Sequence, residues 1–178
     1  MTPLTLSIAM SLLLCGSNSK PEQFFSQSFT PAEIYKRVDQ HHFTASQRVT
    51  YHTYSNARYG FSIAYPVNLL VPQGESDNSD GQKFVSRDGS ATLLAFGSNR
   101  MDRSLRDEFQ SAQENRTVTY KVFRADMFVV SGHANGKIFY QKTLLRGDVF
   151  KTFIIEYDEQ ERGTFDAITS RIARSFNG

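Results

Sequence analysis

From Thr117 onward the chain is written in short alternating runs. Thr117–Phe123 sets Val118, Tyr120 and Val122 against Thr117, Thr119 and Lys121, the period of two expected of a half-buried strand. Met127–Ser131 is mainly apolar, and Gly132 through Gly136 predicts a turn, with Asn135-Gly136 a strong hairpin signal. Lys137–Arg146 runs to Gly147-Asp148, which suits a tight turn, and Val149–Tyr157 runs back. These last two strands carry apolar residues on both faces. Ile138, Tyr140 and Leu144 alternate with Phe139 and Leu145, and Val149, Phe153, Ile155 and Tyr157 with Phe150 and Ile154. That pattern predicts a sheet covered on both sides. Residues 161–176 then change period, placing Phe165, Ile168, Ile172 and Phe176 on one face of a helix.

Upstream, Tyr59–Pro66 is a short aromatic-rich strand between a Gly and a Pro. Pro72 and the run from Gly74 to Gly81 predict a long polar loop. Strands follow at 82–86 and 91–96 around a turn at Arg87-Asp88-Gly89. Asp102 or Ser104 caps a helix over 103–115, with Leu105, Phe109 and Ala112 as its buried stripe. Before the first strand, Thr30-Pro31-Ala32-Glu33 opens a short helix over 31–40 as a capping box. Residues 41–58 are polar and irregular, with extended character near Val49–Tyr54. The division is therefore 1–19 signal peptide, 20–57 tether with a short helix, and 58–178 folded domain.

The first segment supplies the address. Residues 3–14 form an apolar run too short to span a bilayer, and Cys15, Gly16, Ser17, Asn18 and Ser19 follow it. That is the hydrophobic and cleavage region of a secretory signal, with cleavage before Lys20, although no basic residue precedes Lys20. Cys15, directly after Leu12-Leu13-Leu14, resembles a bacterial lipobox, with Leu14 where the pattern wants a small residue. It is the sole cysteine, so a cysteine nucleophile, a thiolate metal site and an internal disulfide are excluded from the domain. The 20 basic and 18 acidic residues are interspersed, which excludes the clustered basic stripe of an electrostatic nucleic-acid binder. With Phe 15, Tyr 8 and Trp 0, the core is expected to rest on phenylalanine.

The opening Gly60-Phe61-Ser62-Ile63-Ala64-Tyr65-Pro66 and the closing helix from Phe165 to Phe176 carry a resemblance. They resemble the superfamily of PsbP, an extrinsic subunit of photosystem II, and of the Mog-type Ran-binding proteins, through its bacterial exported members. The resemblance covers roughly 58–176 and implies an α+β fold, an α/β/α sandwich around a central, mostly antiparallel sheet of about six strands. Many members place Trp after the Pro, where this chain has Val67. No residue here is matched to a functional residue of those proteins, so the resemblance speaks to fold.

The candidate chemistry is sparse. His41, His42 and His52 are the residue type of a metal site, but without helical i, i+4 spacing or a Cys partner they read as exposed linker histidines. Glu75, Asp77, Asp80 and Gly81 suggest a calcium loop, yet no register puts Gly at the sixth position and Glu at the twelfth. Ser131, His133 and Asp126 have the residue types of a hydrolytic triad but lack a Gly-x-Ser-x-Gly elbow. Arg146-Gly147-Asp148 spells an integrin-type tripeptide and reads as turn chemistry, and Asn115-Arg116-Thr117 fits a glycosylation acceptor. The sequence thus predicts an exported, non-catalytic domain that binds an unidentified protein or small molecule. No cofactor, metal or nucleic acid is expected, and membrane attachment would come only through Cys15. The competing expectations are a serine hydrolase using Ser131 and His133, and a metal-binding accessory protein using His41, His42 and His52.

Overall fold

A computed structural model describes residues 49–178. Its elements are β1 (Tyr51–Asn56), β2 (Phe61–Pro66), β3 (Val71–Glu75), β4 (Gly81–Val85), β5 (Ala91–Asn99) and α1 (Leu105–Ser111). They continue with β6 (Thr117–Phe123), β7 (Met127–Ala134), β8 (Lys137–Arg146), β9 (Val149–Asp158), a 3-10 turn at Glu159–Glu161 and α2 (Arg162–Ser175). Strands β3 to β9 form one seven-stranded sheet in the order β3-β4-β5-β9-β8-β7-β6. Every pairing in it is antiparallel. Strands β1 and β2 form a separate hairpin.

The sheet is thus larger than the six strands expected, and the helices are few. The membership of the sheet also differs from expectation at two strands. Strand β2 leaves to pair with β1, and β3, expected to be loop, joins the sheet edge beside β4. All five β3 residues are exposed and include Pro72 and Gly74, so no alternation marks them as a strand. The end of the expected tether, Tyr51–Asn56, is β1. The expected helix at 31–40 lies outside the described residues.

The two-sided pattern of β8 and β9 is explained by a layer on each face. One face carries α2 and the β1–β2 hairpin. There Phe153, Ile155, Leu93 and Phe84 pack against Ile63, Phe165, Ile172 and Phe176. The other face carries α1, where Leu105 and Ala112 meet Phe128, Val130, Phe139 and Phe150. Phenylalanine dominates the largest fully buried side chains, each contributing about 1.5–3 kcal/mol of transfer free energy. On the α1 face, Thr143 and Thr152, directly opposite in register, satisfy each other through a 2.9 Å hydrogen bond. Helix α1 is shorter than expected. Ser104 caps it in a reciprocal box with Asp107, and the chain turns away by Asn115, whose φ is 58°.

Gly132 corrects the turn expected at 132–136. Strand β7 runs straight through Gly132 and His133 to Ala134, and only Asn135-Gly136 turns, both with positive φ. The glycine is there for a neighbour. A Cβ at Gly132 would lie 1.9 Å from the Thr117 carbonyl oxygen, where β6 bulges between Val118 and Tyr120.

Candidate functional site

Helix α2 covers β9 and part of β8, and leaves the face of β6 and β7 beyond it open. Strand alternation sends Ser131 and His133 of β7, and Ile138 and Tyr140 of β8, to that face. Helix α2 returns Arg162, Asp166, Ser170 and Arg174, spaced four apart, so one stripe of the helix looks across at them. The result is a cleft of about 540 Å³ lined by these residues with Thr119, Thr169 and Ala173 among others. Its floor is Tyr140, half-buried and stacked on Phe153 at 5.7 Å between ring centroids. Burial raises the Tyr140 phenol above its ordinary value.

One end of the cleft is a closed polar network. Glu159 Oε1 lies 3.1 Å from Arg162 Nη2, and its Oε2 lies 3.2 Å from His133 Nε2. The Tyr157 hydroxyl donates to Asp166 Oδ1 at 2.6 Å. Burial, then that bond and the Asp166 charge, hold the Tyr157 phenol far above its ordinary value. Thr169 Oγ1 is buried and not at hydrogen-bonding geometry with any described group. At the other end the Arg174 side chain makes no hydrogen bond or ion pair with a described residue, and Lys142 Nζ donates to the Ala173 carbonyl at 2.9 Å.

Ser131 and His133 therefore share a cleft without forming a couple. Ser131 Oγ donates to the Phe139 carbonyl at 2.8 Å, and His133 is engaged by Glu159. Asp126 precedes β7 and pairs with Arg146 at 3.0 Å. Seven strand residues at ~3.3 Å each put it roughly 23 Å from His133 along the strand. Among the described residues no base is hydrogen-bonded to Ser131 Oγ, and Glu159 meets His133 through Nε2 rather than standing behind a serine–histidine pair.

The remaining candidates resolve into structural chemistry. His52, on β1, packs edge-on to Tyr65 at 6.3 Å. Cys15, His41 and His42 lie outside the described residues. Among the described residues no three His, Cys, Asp or Glu side chains are grouped to hold a metal ion. Asp80 accepts from Ser76 Oγ (2.6 Å) and Asn78 Nδ2 (2.8 Å), which hold its carboxyl below the usual range, and Glu75 accepts from the Tyr54 hydroxyl at 2.7 Å. Asp80 thus closes the β3–β4 turn, and Glu75 ties β3 to β1. Gly147 turns β8 into β9 with φ 58°, while Arg146 is held by Asp126 and by the Gly178 carbonyl at 2.8 Å. Arg116 points inward, to Gln141 Oε1 at 2.9 Å and over the Phe139 ring at 4.6 Å.

Compared with solved structures, the architecture is similar to the solution structure of cyanobacterial PsbP (CyanoP) from Synechocystis, with a TM-score of 0.53. The likeness covers 75% of this chain and 95% of that one, at 15% sequence identity. The fold is PsbP-like. At that identity the likeness speaks to architecture alone. No family model matches the chain, and no curated protein matches it.

The α2 residues that line the cleft of the PsbP-like domain, unlike Ser131 and His133, were missed from sequence because a polar stripe on a helix reads as solvated surface. The signal that could have found them is the i, i+4 series from Arg162 to Arg174, which runs beside the apolar series Phe165, Ile168, Ile172, Phe176.

Proposed function

We propose that this chain is an exported, non-catalytic accessory domain that binds a small ligand in the cleft between α2 and strands β6–β8. The observation that carries the reading is the make-up of that cleft. It joins an aromatic floor, Tyr140, to convergent polar groups from two elements, the arrangement of a binding pocket. Ser131 and His133, the pair a hydrolase would need, are each bonded elsewhere within it. The PsbP-like fold supports an accessory role through the resemblance. Export rests on the apolar run at 3–14 and the small residues after it.

Binding is tested by titrating the isotopically labelled full chain with a fragment set of neutral, anionic and cationic molecules. Amide shifts clustered on Tyr140, Ser170 and Ala173 are the expected result. A set that leaves those signals unmoved overturns the reading. Export is tested separately by mass spectrometry of the mature protein. The expected start is near Lys20, or at a lipidated Cys15; cytoplasmic protein that still carries Met1 overturns it.

A further inference from the structure

We infer that the cleft takes a small organic carboxylate, with Arg174 as its anchor. The inference rests on the cleft being the binding site and adds the chemistry of what enters it.

The two ends of the cleft differ in how their charges are spent. Along α2, Asp166 and Arg174 are eight residues apart, ~12 Å at the helical rise. Around Asp166 the basic side chains are already partnered. Glu159 takes both Arg162 and His133, and Asp166 takes the Tyr157 hydroxyl. Around Arg174 they are not. No carboxylate of a described residue pairs with Arg174 or with Lys142. Lys142 directs its ammonium to the Ala173 carbonyl, and its Nζ lies 5.9 Å from the centre of the Phe176 ring. That contact satisfies one of the last carbonyls of α2 and blunts the negative helix end that would otherwise oppose an anion. Arg174 is then the cation left to meet a ligand.

One available guanidinium selects the ligand's charge and shape. Its planar fork matches a carboxylate through two parallel hydrogen bonds. A dianion would leave charge uncompensated, and the Asp166 and Glu159 carboxylates along the same cleft would repel it. Ala173, next to Arg174 on α2, and Tyr140 on the floor of the cleft offer apolar surface for a compact body. A volume of about 540 Å³ suits a molecule of one or two rings.

A role for Arg174 confined to complementing the C-terminal end of α2 would affect stability slightly and binding not at all. The test therefore reads binding. The labelled full chain is titrated with sodium benzoate and, in parallel, with its neutral analogue benzamide. Benzoate is expected to shift the Tyr140, Ser170, Ala173 and Arg174 amides, with benzamide at least tenfold weaker. R174Q is expected to weaken benzoate by about tenfold or more, as loss of a charge-assisted contact does, and R174K to recover part of it. An unchanged amide spectrum away from the cleft shows that the variants are folded; should R174Q fail that check, R174K and the benzamide comparison carry the test. Benzamide binding as tightly as benzoate, or benzoate indifferent to R174Q, overturns the carboxylate inference and leaves the cleft reading standing. If benzoate fails while other fragments move the cleft signals, the result is the same. If no fragment of any charge moves them, both readings fall.

Discussion

Gly132→Ala is the substitution with the most direct geometric consequence. The new Cβ would sit 1.9 Å from the Thr117 carbonyl oxygen, 2.9 Å from its carbon and 3.0 Å from the Thr119 nitrogen. Real Cβ atoms essentially never come closer than 3.0 Å, so β6 must withdraw by about 1.1 Å, the difference between 3.0 and 1.9. The obstacle is backbone, and no rotamer change relieves it. A shift of that size carries the adjacent β6–β7 hydrogen bonds past bonding distance. Overpacking of this kind costs about 1–3 kcal/mol, a large part of a typical stability of about 5–15 kcal/mol. Strand β6 is the sheet edge, with a partner on one side only, so the strain should be released by loosening β6 rather than by disturbing β9. Differential scanning calorimetry should show Tm lowered by roughly 5–15 °C. Hydrogen exchange should show β6 amides losing protection while β5, β8 and β9 keep theirs. A Tm within about 1 °C of the parent, with β6 exchange unchanged, would refute the assignment of Gly132 to close approach.

Three further outcomes are expected. Phe165→Ala and Ile172→Ala, at 2% and 0% exposure, should each lower stability by about 2–5 kcal/mol in urea unfolding; near-neutral effects from both would mean that α2 is not docked. Asp88 accepts from Ser86 Oγ, Ser90 N and Ser90 Oγ, in that order of importance, which draws its carboxyl down from 3.8 to about 2. A depressed carboxyl adds stability above its unfolded value that is lost as pH falls toward its folded one. The urea midpoint of Asp88→Ala should therefore trail the parent near neutral pH and converge with it as pH falls from about 4 to about 2; a constant gap would count against the turn network. His133→Ala should leave any turnover of ester, phosphoester or peptide substrates by the pure protein unchanged, and loss of turnover in both His133→Ala and Ser131→Ala would restore the hydrolase.

The legible parts of this fold are those where a local rule and the tertiary contacts agree. Strand β8 runs from Lys137 to Arg146 as read from the sequence, because Asn135-Gly136 and Gly147 adopt the positive φ that their turns require. The two-sided apolar pattern of β8 and β9 anticipated layers on both faces. Strand β3 was illegible because an exposed edge strand has no buried face to alternate against. Gly132 was misread because a glycine needed for a neighbour's approach and a glycine needed for a turn are the same letter. The cleft was illegible for a related reason. Its members come from β6, β7, β8 and α2, and nothing in the order of the chain says that Ser131 will face Ser170 across a gap.

The β1–β2 hairpin has a consequence for the order in which the molecule is made. Ser62 and Asn177 exchange backbone hydrogen bonds at 3.1 and 3.2 Å, and Phe61 meets the Phe176 ring at 6.0 Å between centroids. The hairpin is among the first described elements to leave the ribosome, and the residues that seat it are among the last. Until Phe176 emerges, Phe61 lacks that cover and the hairpin can only form and dissolve, since two strands alone are marginal in water. Docking of α2 would then fasten both ends of the fold in one late step with a long loop to close, which places this domain among slow folders. A nascent chain stalled before residue 165 would show the central strands protected and the hairpin still open to protease.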